Sequence, residues 1–326
     1  MATRQGAPVI GAPEWAQLKK GGWQSSFGFR YQFSDKHFVG DEEQEDREED
    51  NSQVKNTLYL FDFGLTYGLD DRTSLSVSLP FQIADRSQLI RDLEPERNVT
   101  TARGIGDLVV TARRWMRDLS EPRDWNCQLG FGLKFPTGQP NATDTFKFVN
   151  EDGDPDREQR TVDQSIQPGD GGFGFLIDVN TFKRLGDEFA AYLSGTYLFN
   201  PMETNGVDTY RGRDSESIMS IPDTYMARGG VQWAPAEQWA YGLGMRVEGV
   251  PSEDVFGGSD GFRRPGYAWS AEPSVSYAAG RSIFSVALPL ALYRNRTKSV
   301  PDEEDGRHGD AAFADWVFLF GWTFSL

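Results

Sequence analysis

Cysteine and histidine are almost missing: one Cys and two His in 326 residues. A single Cys excludes a disulfide scaffold, a Cys-rich zinc module and an iron–sulfur protein. Two His leave little material for a metal site, and no motif calls for a cofactor. Basic residues are in deficit, 33 Lys and Arg against 49 Asp and Glu. The resulting net charge of −16 argues against nucleic acid as a partner. No run of about 18 apolar residues occurs, so no helix is expected to span a membrane. Positions 1–10 lack the apolar centre of an export signal, so a mature or trimmed form is expected. Hydrophobic residues make up 38% of the chain, and the mean hydropathy is −0.54. That is thin for a conventional core of this size.

Aromatic residues and glycine are abundant instead, with 23 Phe, 9 Trp and 35 Gly. Their arrangement has period two, the mark of strands with one apolar face. One parity of 23–33 carries Trp23, Phe27, Phe29, Tyr31 and Phe33; the other carries Gln24, Ser26, Gly28, Arg30 and Gln32. Twelve such segments are predicted, near 23–33, 55–68, 72–84, 105–116, 125–135, 172–183, 188–199, 224–234, 239–249, 267–278, 282–293 and 312–326. A tilted strand needs roughly 9–11 residues to cross lipid, whereas strands in soluble proteins centre nearer five or six. Six long connections are expected at 34–54, 85–104, 136–171, 200–223, 250–266 and 294–311. They alternate with short turns, which puts both termini on the short-turn side.

The expected fold is therefore all-β: a single twelve-stranded, up-and-down antiparallel transmembrane barrel over 23–326. Positions 1–22 form a periplasmic tail or short helix. Only a closed sheet satisfies its backbone in lipid, and the bacterial outer membrane is the expected location. Trp23, Trp125, Trp233, Trp239 and Trp322 fall toward the short-turn side, and Trp269 and Trp316 near the other rim, as two interfacial girdles require. The last strand places Trp316, Phe318, Phe320, Trp322, Phe324 and Leu326 on one parity. Segment 105–116 reads less cleanly, because Arg114 shares the face of Leu108 and Val110; a bulge at 111–113 would repair it.

The inward parity is small and polar with spaced charges. Arg30, Asp62, Lys134, Asp178, Arg228, Arg246, Glu248 and Glu272 are the pore-lining candidates, with Asp107 and Asp315 also expected inside. The four cations would form one ladder and the four carboxylates an opposing one, biasing solute choice. Buried isolated charges are costly, so these are hydrated or paired. A water-filled path and an ion-paired plug both remain open, and pairing of all of them would favour the plug.

Three motifs add a resemblance. Tyr67-Gly68-Leu69-Asp70-Asp71-Arg72 precedes a Leu-Ser-Val-Ser-Leu-Pro-Phe strand; Gly104-Ile105-Gly106-Asp107 opens a strand; Lys134-Phe135-Pro136-Thr137-Gly138 closes the next. Together they resemble the outer-membrane barrels of the MetA-pathway phenol-degradation family, in detail over 57–200. The resemblance implies a transporter of hydrophobic or aromatic compounds. The residues alone imply passive passage of a small solute, narrowed by loops such as 136–171 folding inward. The expected partners are outer-membrane lipid and lipopolysaccharide, the barrel-assembly machinery through the last strand, and the solute. The acidic runs at 41–50, 151–156 and 302–305 lack metal-ligand spacing and read as solvated loops. His37 and His308 fall on the first and last long loops, neighbours in a closed barrel. Neither shares a strand face with a Ser, so a lipid-modifying enzyme is the weaker reading.

Overall fold

In the computed structural model, which describes residues 18–90, 93–118, 124–150 and 152–326, twelve antiparallel strands close into a barrel. They are β1 (Trp23–Val39), β2 (Lys55–Gly68), β3 (Thr73–Leu89), β4 in two pieces (Arg97–Ile105 and Leu108–Trp115), β5 (Trp125–Phe135) and β6 (Gly174–Arg184). The circuit continues with β7 (Phe189–Phe199), β8 (Thr224–Ala236), β9 (Trp239–Val250), β10 (Gly266–Ala279), β11 in two pieces (Ser282–Ala287 and Leu290–Asn295) and β12 (Ala311–Ser325). Each strand pairs with the next, and β12 closes on β1. Closure leaves no long unpaired edge in the wall.

Alternation decides which residues face out. Phe63, Leu65, Phe131, Ile177, Leu193, Leu243, Trp269 and Trp316 are exposed on the outer surface. Residues of the other parity, among them Arg30, Thr111, Ser194, Arg246 and Glu272, are buried inside. Aromatic rings run across the β2–β1–β12 seam: Phe61 to Phe29 at 5.2 Å, and Phe29 to Phe318 at 6.2 Å. Trp322 and Trp316 lie six residues apart on β12, roughly 20 Å at strand rise, and so belong to opposite rims.

The seam of β4 is where sequence and structure differ. Its register with β3 is unbroken from Thr73↔Arg114 to Ser78↔Val109, so no bulge exists at 111–113. Arg114 faces out at the turn-side rim, bonding Asp70 and Thr73. At that rim a cation reaches water. Arg113 and Trp115 face in. The irregularity instead lies at Gly106 and Asp107, between the two pieces of β4. β3 and the upper piece of β4 continue as a hairpin from Phe81↔Ile105 to Leu89↔Arg97, so much of the expected 85–104 loop is strand. Asp315 is also corrected: it sits in a β12 irregularity and is exposed, its carboxylate on Arg294.

β11 is interrupted at Leu288 and Pro289. Its lower piece pairs with β12 over Ser282–Ala287, but its upper piece shares one register pair with β12, Leu290↔Trp316. Pro289 has no N–H to donate, which is why the ladder breaks there.

At the terminal end, Leu326 N donates to the Trp23 carbonyl at 2.8 Å. Asp70 closes the first short turn by accepting from Arg72 N and Thr73 N at 2.8 and 2.7 Å. These bonds, the one to Arg72 foremost, bring its pKa down to about 2. A Cβ on inward-facing Gly68 would stand 2.2 Å from the Lys19 carbonyl oxygen, so residues 18–22 pack on the inner side of the rim. The remainder of the expected tail, 1–17, lies outside the described residues.

Candidate functional site: a lumen crossed by paired charges

Arg30 on β1 and Glu248 on β9 are not on neighbouring strands, yet their side chains meet at 2.5 Å. The contact therefore crosses the lumen. Arg246 donates to Glu248 at 2.7 and 2.8 Å and to Glu272 at 3.3 Å. Arg228 donates to Glu272 at 2.7 Å. Arg228, Glu272, Arg246, Glu248 and Arg30 thus form one alternating chain from β8 to β1. All of these except Glu248, which is mostly covered, are buried. Burial of this kind is tolerated because every charge is hydrogen-bonded to the opposite sign.

The remaining candidates sit on the facing wall. Asp178 accepts from Arg113 Nε at 2.8 Å, and Arg113 also donates to Ser76 Oγ at 3.1 Å. Lys134 bonds Asp170. Asp62 accepts from Ser78 Oγ at 2.5 Å. All eight face inward, but the two opposed ladders are not found. Cations and carboxylates are interleaved, because neighbouring strands bring Arg228 opposite Arg246 in register and only intervening carboxylates relieve their repulsion.

The motifs at the β4 break act together. Thr137 Oγ1 accepts from Leu108 N at 2.8 Å and donates to the Gly106 carbonyl at 3.0 Å. Asp107, fully buried, accepts from Gly138 N at 3.0 Å and Asp170 N at 3.2 Å. A Cβ on Gly138 would stand 2.7 Å from the Gly169 Cα, so both ends of segment 138–169 are held in backbone contact. Between them, 143–149 and 155–161 pair as a separate hairpin, and 162–167 turns into the barrel. Val162 and Ile166 pack on Leu58, Ala84 and Ala102 of the inner wall, and Gln82 Nε2 donates to the Ile166 carbonyl at 2.9 Å.

Above the charge chain lies a cavity of about 490 Å³. Arg246, Glu248 and Lys134 line its floor, Ile166 and Gln167 one side, and Pro289, Ala291, Ala314 and Trp316 the side at the β11 break. Its upper wall holds arginines from separate segments. Asp163 Oδ2 receives Arg264 at 2.8 Å, with Arg86 at 3.6 Å and Arg211 at 3.7 Å. Burial by itself would raise Asp163, but these three guanidiniums hold its carboxyl well below the usual range. Arg211 is lowered, by burial and then by the Arg264 charge. Arg307 bridges Asp302 and Glu216, and Asp302 also takes Arg296 at 2.8 Å while capping the helix Val300–Glu304. The acidic run 302–305 is therefore partly buried structure.

His37 is buried. Its Nε2 accepts from Val54 N at 2.8 Å, which leaves the proton on Nδ1, donated to Asp310 at 2.5 Å. His308 reaches the Arg296 carbonyl. The first and last loops do meet, through the Gly40↔Arg296 bridge. Among the described residues, neither histidine's contacts include a serine hydroxyl, and no cluster of three or more His, Cys, Asp or Glu is arranged to hold a metal.

Sequence reasoning missed Arg113, Asp170 and the Asp163 group. Arg113 was within reach, since an unbroken parity places it inside. The Asp163 group joins residues as much as 178 positions apart (86 and 264), and no local signal marks it.

A closed barrel with an apolar outer face, interfacial aromatics and a polar interior is a transmembrane barrel of the bacterial outer membrane. Its fold is similar to that of an outer membrane channel from Pseudomonas putida F1, with a TM-score of 0.63 at 12% identity over 98% of this chain and 100% of that one. The β domain of the Bordetella autotransporter BrkA is also similar, with a TM-score of 0.51 at 12% identity over 94% and 100%. No protein-family model and no curated protein sequence matches the chain.

Proposed function

We propose that this barrel is an outer-membrane channel that admits small solutes from outside, with the charge chain as the barrier they must pass. The observation that carries this reading is the cavity of about 490 Å³ ending on Arg246 and Glu248. It is large enough for a small organic solute and sits within the range of ligand pockets. Its mixed lining suits a solute with both apolar and polar parts, and the resemblance to phenol-degradation barrels favours a hydrophobic or aromatic one. Passage is passive in this reading. Outer-membrane lipid and lipopolysaccharide are its surroundings, and the last strand addresses it to the assembly machinery.

A second reading draws on the break in β11. Pro289, Ala291, Ala314 and Trp316 line the cavity where the wall has a single β11–β12 register pair above the break. A hydrophobic solute could then leave sideways without crossing the charge chain.

Planar-bilayer conductance of the refolded protein separates these. Through-passage predicts small steady currents that rise in Glu248→Gln, where Arg30 loses its partner across the lumen. Silence in both folded proteins, together with solute flux into liposomes, would replace the axial route by the lateral one. Silence without flux would leave a plugged structural barrel.

A further inference from the structure

The protein carries a net charge of −16, yet its cavity is lined by eight arginines and lysines against four carboxylates, Asp170, Glu216, Glu248 and Asp310. Of the carboxylates that neutralise the upper arginines, Glu216 lines the cavity, whereas Asp163 and Asp302 do not. The face offered to a solute is therefore cationic.

Within that face one group is distinctive. Arg86, Arg211 and Arg264 share the single Asp163 carboxylate. Arg264 takes it in a two-pronged bond, 2.8 Å to each oxygen. Arg86 and Arg211 approach no closer than 3.6 and 3.7 Å, beyond hydrogen-bond range. Arg211 also stands 3.7 Å from Glu216. Its Cζ stands 3.7 Å from the centroid of the Phe262 ring, and the Arg264 Cζ stands 4.6 Å from the same centroid. Phe262 is itself buried and lines the cavity. The ring holds both guanidiniums in place, so an incoming anion meets in Arg211 a donor that is already positioned. The Arg211 side chain remains 34% exposed. Nearby lining is apolar, with Met219, Tyr225, Val250 and Tyr267.

We propose that Arg211 and Arg86 form a binding site for a small carboxylate with an apolar body, the carboxylate on the guanidiniums and the body against the apolar wall. The proposal rests on the channel reading and names the solute class for it. A solute carboxylate adds a third negative charge to three clustered arginines that share Asp163 and, through Arg211, Glu216, whereas a neutral solute adds none and a cation adds to the crowding.

The test is calorimetric titration of the full barrel in lipid nanodiscs, at fixed ionic strength, with benzoate, benzyl alcohol and benzylamine. These share a body and differ in charge. The expected result is saturable benzoate binding, at least about tenfold tighter than that of the other two, as charge-assisted hydrogen bonds allow. Arg211→Gln should weaken benzoate at least about tenfold and leave benzyl alcohol unchanged. Arg86→Gln is the second variant, and heat-modifiable gel mobility reports that each barrel is folded. Equal binding of benzoate and benzyl alcohol, or indifference of benzoate to both substitutions, overturns the anion site while leaving a solute channel standing. Absence of benzoate binding to the folded protein overturns it too. Selective benzoate binding without benzoate flux into liposomes supports the site and removes the channel reading.

Discussion

Gly130 on β5 faces Asp178 on β6 in register, and a Cβ at Gly130 would stand 2.2 Å from the Asp178 carboxylate. The glycine is the space in which Asp178 turns toward Arg113. Gly130→Ala should displace the carboxylate and lose the 2.8 Å bond to Arg113, at a cost of about 1–3 kcal/mol. Urea unfolding in vesicles checks it. Gly130→Ala with Asp178→Ala should cost less than the sum of the two, and strict additivity would show that the contact is not shared.

Glu272 is fully buried between Arg228 and Arg246. Glu272→Gln leaves two guanidiniums facing each other in register, and removing one member of a buried pair costs roughly 3–5 kcal/mol. The expected outcome is a barrel with a lower urea midpoint that folds and keeps its strand content by circular dichroism. An unchanged midpoint would mean that water already screens the chain.

Phe318 and Phe320 belong to the aromatic band at β1 and β12. Arg at either position should impair assembly, since a cation on the lipid face near mid-bilayer costs about 2–4 kcal/mol. Normal yields of heat-resistant barrel would reverse the assignment of faces.

Asp163 and Asp310 lie in loop-end segments, and both titrate below their ordinary values. For Asp163 burial opposes the shift and Arg264 and Arg86 drive it; for Asp310 burial opposes it and His37 and Arg47 drive it. A carboxyl whose pKa is lower folded than unfolded contributes stability above the unfolded value, about 4. That contribution fades as pH falls from there toward the folded pKa. Protection of the amides in 136–171 and 250–266, as exchange measured relative to the intrinsic rate at the same pH, should therefore be high at pH 7 and lower below pH of about 4. Asp163→Asn should lower it already at pH 7. Equal protection at both pH values would remove these ion pairs from the holding of the loops.

Thr137→Val removes both hydroxyl bonds that tie Leu108 and Gly106 to the inward segment. Proteolytic cleavage within 136–171 should become easier, and current noise, where current flows, should increase. Cleavage at the wild-type rate would assign the holding to Asp107 alone.

The barrel itself was legible because lipid enforces the alternation: Phe27, Phe29 and Tyr31 must face out wherever hydrocarbon lies. Above the membrane that pressure ends. β3 runs on through Asp85, Arg86 and Ser87 with polar side chains, Arg86 being covered by the inward segment at Asp163, so its last residues read as loop. Arg114 misled for a related reason, because at the rim a cation on the outer parity reaches water and bonds Asp70. The eight inward charges were visible by parity, but their partners were not. Period two states a face and says nothing of which strand lies across the lumen, so Arg30 and Glu248 could not be joined beforehand. Nothing local joins Arg86, Arg211 and Arg264. They become a group only when the far end of β3 and two loop segments, none adjacent in sequence, close over Asp163.

The chain from Arg228 to Arg30 gives the lumen a barrier made of exchangeable partners. Arg246 already divides its donors between Glu248 and Glu272, and Glu248 divides its oxygens between Arg246 and Arg30. A visitor that draws off one cation therefore leaves a neighbour ready to take up the abandoned carboxylate. In the proposed axial route such a barrier would yield by substitution, one bond traded for another, and re-form behind the solute.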